Sequence, residues 1–130
     1  MKTKKQILDE LKNLGWEYVE DEFTNSEFGH RREHFKRVKK IIFDEAETYI
    51  AEAILIFHYI ENGNHKLPHI QTYQALTHDY EEAFDSNNVI HYDEAGCVPL
   101  EFKEMELFYQ YMCIIKEEDE NEDSGNLHVN

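Results

Sequence analysis

The spacing of polar and apolar residues near the start of the chain predicts a helix. Thr3 and Gln6 have the spacing of a capping box, in which two side chains satisfy the free amides of the first turn. The apolar residues that follow lie on one helical face: Ile7, Leu8, Leu11 and Leu14. Gly15 stands where a left-handed residue would end the helix.

The longest regular pattern predicts a second, much longer helix. Apolar residues recur at steps of three and four at Phe35, Val38, Ile42, Ala46, Tyr49, Ala53, Phe57 and Ile60. This spacing favours one helix over residues 31–61. A hairpin is the alternative, because residues 41–43 and 48–60 are rich in β-branched and aromatic side chains and residues 44–47 could turn.

The other segments give shorter elements. Residues 16–23 are either a short strand or an extended connector, and residues 62–68 read as a turn. A third helix over residues 70–85 is predicted from Ile70, Tyr73, Leu76, Tyr80 and Phe84. Residues 89–92 and 96–99 suggest a small hairpin, residues 101–116 a last helix, and residues 117–130 a flexible acidic tail.

These elements predict a mainly α fold, with four helices around one core and a possible small β-hairpin. An α+β fold is the alternative. The 130 residues suit one domain, which we place at residues 1–116 with the tail at 117–130. Hydrophobic residues make up 41% of the chain, which is enough for a packed core.

The charge is unevenly distributed. The net charge is -15, yet residues 1–43 carry ten basic and eight acidic side chains. Residues 44–130 carry twenty acidic side chains and only three basic ones, Lys66, Lys103 and Lys116. Such an anionic field repels nucleic acid and anionic membranes and attracts basic surfaces. We therefore expect no direct binding to nucleic acid or membrane.

Several functional classes find little support in the sequence. Cys97 and Cys113 are too few for a disulfide framework and read as reduced thiols. The chain opens without a signal-peptide pattern, which favours a cytoplasmic protein. It also lacks a nucleophile-elbow motif and a phosphate-binding glycine-rich loop. The sequence predicts no enzyme, no cofactor and no catalytic residue.

One motif suggests an alternative. Residues 30–34 read H-x-x-E-H, which is similar to the signature of inverzincin metalloproteases. On a helix, His30 and His34 would share a face and Glu33 would lie beside them, as in a zinc-dependent hydrolase. The basic neighbours of this motif oppose a cation, so solvated histidines are favoured and no metal site is predicted.

A basic run of six residues surrounds that motif: Arg31, Arg32, Lys36, Arg37, Lys39 and Lys40. It could contact nucleic acid. A solvated face, or a set of intramolecular partners for the acidic half, is the favoured interpretation.

The acidic half carries the functional prediction. We expect a partner-binding face formed by Glu81, Glu82, Asp85, Asp93, Glu94, Glu101, Glu104, Glu106, Glu117 and Glu118. Carboxylates on successive helical turns repeat at about 5–6 Å, close to the phosphate spacing along a DNA strand. Exposed aromatic side chains would add anchors.

In composition, residues 44–123 resemble the small acidic DNA-mimic inhibitors of phages, including antirestriction and anti-CRISPR proteins. The resemblance implies an inhibitor in the cytoplasm of a bacterial host cell. Its partner would be a basic nucleic-acid-binding protein, such as a nuclease or a restriction or CRISPR effector. The alternative is a small helical interaction module or homodimer that uses the apolar stripe of the long helix.

Overall fold

The computed structural model describes residues 2–20, 30–61, 64–66, 68–84 and 98–129. In these ranges the chain forms, in order, α1 (Lys4–Asn13), β1 (Glu17–Val19), β2 (His30–Phe43), β3 (Ala46–Glu61), β4 (Asn64–His65), β5 (His69–Thr77), α2 (Tyr80–Phe84) and α3 (Phe102–Val129).

The first helix begins as the sequence predicts. The backbone amide of Gln6 donates to Thr3 Oγ1 at 3.2 Å, and the amide of Thr3 donates to Gln6 Oε1 at 2.9 Å. Gly15 has a φ of +93°, a conformation that side chains with a Cβ rarely adopt. The predicted capping box and the glycine at the end of α1 are thus confirmed.

An antiparallel sheet lies at the centre of the fold. Its strands are ordered β1-β2-β3-β5, and the two-residue β4 pairs with the end of β3. The β2–β3 hairpin is the longest element of the sheet, and its register runs from His30 opposite Tyr59 to Phe43 opposite Ala46. β1 adds three pairs to the outer edge of β2, and β5 covers the other edge of β3.

The prediction of a mainly α, four-helix fold is therefore wrong, and so is the long helix over residues 31–61. The chain is sheet-rich and belongs to the α+β class, with the alternative hairpin in place of the helix. β3 is almost continuously buried from Thr48 to Ile56, on both faces of the sheet. A strand buried on both faces has so many apolar positions that a helical spacing can be found in it by coincidence.

Two further element predictions need correction. Most of the helix predicted over residues 70–85 is strand β5, and only the five-residue α2 is helical. The last helix is present but continues past residue 116 to Val129. The hairpin predicted at residues 89–92 and 96–99 lies largely outside the described residues. The structure leaves the division into a domain at 1–116 and a tail untested, and it remains a prediction.

The two faces of the sheet are covered differently. α1 and α3 pack on the first face, where the largest buried cluster forms: Ile7, Leu11, Trp16, Phe35, Ile54, Ile56, Val98, Leu107, Phe108, Tyr111 and Ile115. On the second face, Ala51 and Ala53 pack with Tyr73, and α2 contacts the sheet through Tyr80 on Tyr49. The first face therefore positions α3 and everything that α3 presents.

The turn of the long hairpin offers a test of local conformation. Asp44 and Glu45 have φ values of 53° and 65°, so both occupy the left-handed region that favours glycine. We expect Glu45→Gly to raise the free energy of unfolding by about 0.5–1 kcal/mol, because relief of the left-handed strain outweighs the added freedom of the unfolded chain. Urea denaturation measures this. Glu45→Ala removes the same carboxylate but keeps the Cβ, so an equal gain in that variant would contradict the explanation.

Candidate partner-binding surface

A buried ionic cluster joins the start of α3 to the sheet. Arg37, on β2, binds Glu52 at 3.0 Å and also pairs with Glu104 of α3. The guanidinium carbon lies 4.2 Å from the centre of the Trp16 ring, and the indole nitrogen of Trp16 donates to Glu104 at 2.9 Å. The side chains of Glu52 and Glu104 are only 1% and 5% exposed. Arg37 thus compensates two buried carboxylates, and Lys39 adds a longer contact to Glu52 at 3.6 Å.

The surroundings of Glu104 keep it ionised. Burial raises the pKa of this carboxyl group, but hydrogen bonds from the Glu101 amide, the Trp16 indole and Arg37, together with the Arg37 charge, outweigh it and lower the pKa below the usual 4.5. The Glu101 amide donates to Glu104 Oε2 at 2.8 Å, so the same carboxylate also caps the start of α3. Glu104 therefore orients the helix on the sheet.

A second ionic cluster holds α3 further along. Arg31, at the other end of β2, contacts Glu33 at 2.8 Å and both Glu118 and Asp119 at 3.1 Å. Burial lowers the pKa of Arg31, but the charges of Glu33, Asp119 and Glu118 outweigh it and raise the pKa above its ordinary value. Asp119 also lies 2.6 Å from Nδ1 of the buried His58. Glu118 and Asp119, which we placed in the tail from the sequence, thus contact the sheet.

Two residues of the basic run form ion pairs within the protein. Arg31 and Arg37 both point into the protein and bind carboxylates of the acidic half. For these two residues, the interpretation as intramolecular partners of the acidic half is confirmed. Sequence reasoning did not single out Glu52 or Trp16. The only signal was the alternation of Arg31, Glu33, Phe35 and Arg37 at the period of a strand.

The zinc motif does not have the helical geometry that its chemistry requires. Residues 30–34 lie in β2, where successive side chains point to opposite faces of the sheet. Glu33 therefore faces α3, with Tyr18 and Arg31 as its partners, whereas His34 lies on the second face. Among the described residues, no group of three His, Cys, Asp or Glu side chains is arranged to hold a metal ion.

The ten acidic residues predicted to form one partner-binding face are dispersed. Glu104 is in the core, and Glu118 is half-buried against Arg31 and Lys4. Glu81 and Glu82 lie on α2, at the second face of the sheet. Glu101, Glu106 and Glu117 are exposed at the start of α3 or along it. Asp85, Asp93 and Glu94 are outside the described part of the chain.

The outer side of α3 instead presents an apolar stripe with acidic neighbours. Phe102, Met105 and Tyr109 are 87%, 44% and 63% exposed. Their spacing of three and four residues places them on one side of the helix, opposite the buried Leu107 and Tyr111. We call these three residues the α3 outer stripe.

One exposed carboxylate borders this stripe, and a second lies further along α3. Glu106 lies between Met105 and Tyr109 in sequence, and Glu117 follows on the same outer side, about two to three turns further along. Large apolar side chains exposed together on a helix are typical of helices that dock into a groove of a partner. The stripe and its acidic border are therefore the candidate site.

No known protein family, curated protein or solved structure matches the chain. None of the described helices combines the length and the apolar character needed to cross a bilayer.

The idea of a helical DNA mimic has to be corrected. It depended on a helical scaffold with carboxylates on successive turns, whereas the chain is sheet-rich and its acidic residues are divided between the core and separate surfaces. Neither the structure nor the comparisons support DNA mimicry or an anti-CRISPR role. The alternative hypothesis was an interaction module or homodimer that uses the apolar stripe of a long helix. That helix does not exist, because residues 31–61 form a hairpin.

Proposed function

We propose that the protein is a binding protein, not an enzyme, and that it docks the outer side of α3 onto a basic partner. The exposed α3 outer stripe carries the proposal. Phe102 and Tyr109 are large aromatic side chains left in solvent, and such residues dominate the binding energy of interfaces. A partner groove with an apolar floor would bury them.

Charge supports a basic rim on that groove. The chain carries a net charge of -15, and two of its arginines are directed inward. Glu106 lies beside the stripe and Glu117 roughly 12 Å further along α3, where they would meet basic side chains of the partner. Complementary charge speeds the encounter and selects the partner more than it adds affinity.

The class of partner follows from this chemistry. Proteins that bind nucleic acid place lysine and arginine where they meet phosphates, so they supply the basic rim that this acidic chain would select. A bound copy of this chain would keep nucleic acid from the same surface. We therefore propose an inhibitor or regulator of a nucleic-acid-binding protein.

The test uses the tagged full chain to capture proteins from bacterial lysate, followed by purification of the protein it retains. Replacing Phe102 and Tyr109 together by alanine should weaken binding to that protein by about tenfold to thirtyfold, because both aromatic anchors are lost. Glu106→Gln with Glu117→Gln should instead flatten the fall of affinity with added salt. Titration calorimetry over a salt series measures both effects.

A matched pair on α2 is the control. Tyr80→Ala with Glu81→Gln removes one exposed aromatic ring, 58% exposed, and one exposed carboxylate on the second face of the sheet. This variant should bind as the wild type does. Loss of binding in the control with full binding in the α3 variants would refute the proposed surface, and affinity that does not change with salt would refute the basic partner.

A further inference from the structure

The tip of the β2–β3 hairpin extends beyond the rest of the sheet. β1 pairs with β2 only as far as Lys36, and β5 pairs with β3 only from Tyr49 onward. Among the strands that the structure describes, residues 37–43 of β2 thus have only β3 as a neighbour, and residues 39–43 are exposed. We refer to residues 39–45 as the hairpin tip.

The three central residues of the hairpin tip are apolar and exposed, whereas a free strand edge is normally protected by charged residues. Ile42 and Phe43 are 77% and 64% exposed, and Ile41 is 36% exposed. Soluble proteins usually protect an exposed edge with lysine, proline or a bulge, because its free amides and carbonyls pair readily with another strand. Three consecutive exposed apolar residues on such an edge indicate a surface that another strand covers.

The order of charged and apolar residues along the tip indicates which kind of strand would pair with it. The sequence runs Lys39, Lys40, Ile41, Ile42, Phe43, Asp44, Glu45, that is, two cations, three apolar residues and two anions. When this segment is reversed, cations meet anions and apolar residues meet apolar residues. A segment with this pattern is complementary to itself in the antiparallel direction.

We propose that two copies of the chain associate through their hairpin tips, with the β2 edges paired antiparallel about a two-fold axis at Ile42. In this register Ile42 meets Ile42 of the partner subunit, and Ile41 meets Phe43 of the partner subunit. Lys40 then lies near Asp44 of the partner subunit, the first residue of its turn. Such an isologous contact uses the same patch on both copies and closes as a dimer.

The pairing fits the space at the sheet edge. Lys36 is the last β2 residue paired with β1, and Leu14 and Gly15, which precede β1, lie against Arg37. Lys40, opposite the partner's turn, lies four residues beyond Lys36, or roughly 14 Å at about 3.4 Å per residue. The side chain of Lys40 is 55% exposed and pairs with Glu47 of its own chain at 2.9 Å. The proposed contact therefore uses only the exposed part of the β2 edge beyond Arg37.

The association is independent of the proposed docking surface. α3 packs over the central part of β2, through contacts such as Phe35 with Phe108, and none of the tip residues belongs to the α3 outer stripe. A dimer would present two outer stripes to a partner. Failure of one proposal leaves the other standing.

Analytical ultracentrifugation of the full chain over a concentration series tests the proposal. In physiological salt, which screens the repulsion between two anionic copies, the mass should rise from 15.6 kDa toward twice that value. Ile42→Lys places two cations on the two-fold axis and should leave the chain monomeric. Leu76→Lys is the matched control, because Leu76 is 63% exposed on the other edge strand, β5. It should dimerise as the wild type does.

A charge exchange tests the register. Lys40→Glu brings the new carboxylate against Asp44 of the partner subunit, and Asp44→Lys brings the new ammonium group against Lys40 of the partner subunit. Each variant alone should therefore be monomeric, because like charges face each other twice in its dimer. An equimolar mixture of the two should dimerise, since every facing pair is then opposite in charge. Circular dichroism confirms that each variant is folded.

Three results would overturn the proposal. One is a wild type that stays monomeric at every concentration, and another is a dimer that Ile42→Lys leaves intact. The third is a dimer that only Leu76→Lys abolishes, which would place the interface on β5.

Discussion

Arg37→Met is expected to lower the free energy of unfolding by about 3–5 kcal/mol, the usual result of removing one partner from a buried ion pair. Arg37 neutralises Glu52 and Glu104, and it also covers the ring of Trp16. Methionine retains much of the apolar volume but leaves two buried carboxylates without this cation. Lys39 lies 3.6 Å from Glu52, but its side chain is 47% exposed and cannot replace a buried guanidinium.

Urea denaturation at neutral pH, followed by circular dichroism, measures the loss. Lys40→Met is the control, because it changes the net charge equally and removes an exposed pair with Glu47. That pair is exposed to solvent and should contribute little to the stability. Adding Glu52→Gln and Glu104→Gln to Arg37→Met should restore part of the stability, since the uncompensated charges are then gone. Equal effects of Arg37→Met and Lys40→Met would contradict this account of the cluster.

Phe35→Ala is expected to have an effect of similar size. Phe35 is fully buried and makes edge-to-face contacts with Tyr18, Phe108 and Tyr111 at centroid distances of 5.5, 5.3 and 5.1 Å. Truncation of such a side chain removes its burial and leaves a cavity between the sheet and α3. We expect the free energy of unfolding to fall by about 3–5 kcal/mol.

The same strand provides the control for this substitution. Phe43→Ala makes the identical change at a position that is 64% exposed, and it should alter the stability by no more than about 0.5 kcal/mol. Both variants are compared at low protein concentration, so that association of the hairpin tips does not contribute. Comparable losses at the two positions would show that Phe35 does not hold the helix layer on the sheet.

Local signals in the sequence were sufficient for α1. The Thr3–Gln6 capping box and Gly15 act over a few residues, so their effect can be read without knowledge of the rest of the chain. The start of α3 was also predictable from its apolar spacing. The β2–β3 hairpin was not, because β3 is buried on both faces and β2 turns charged residues inward. Both features hide the alternation that identifies a strand.

The candidate site could be predicted only in part. The sequence shows that residues 44–130 are strongly acidic, but not which carboxylates reach the surface. Glu104 and Glu106 are two residues apart, and only the docking of α3 on the sheet makes the first a buried partner of Arg37 and the second an exposed residue. The exposure of the α3 outer stripe depends on the same long-range packing.

The partners in the two ionic clusters lie far apart in sequence, and this affects folding during synthesis. Trp16 bonds to Glu104 and Arg31 to Asp119, and each pair is 88 residues apart. Such contacts form late and slow folding, whereas the β2–β3 hairpin joins neighbouring segments. During synthesis the whole sheet leaves the ribosome before α3 does, so the nascent chain exposes Phe35, Ile54 and Ile56 until α3 emerges. We expect that bare apolar face to make the nascent chain prone to association until α3 covers it.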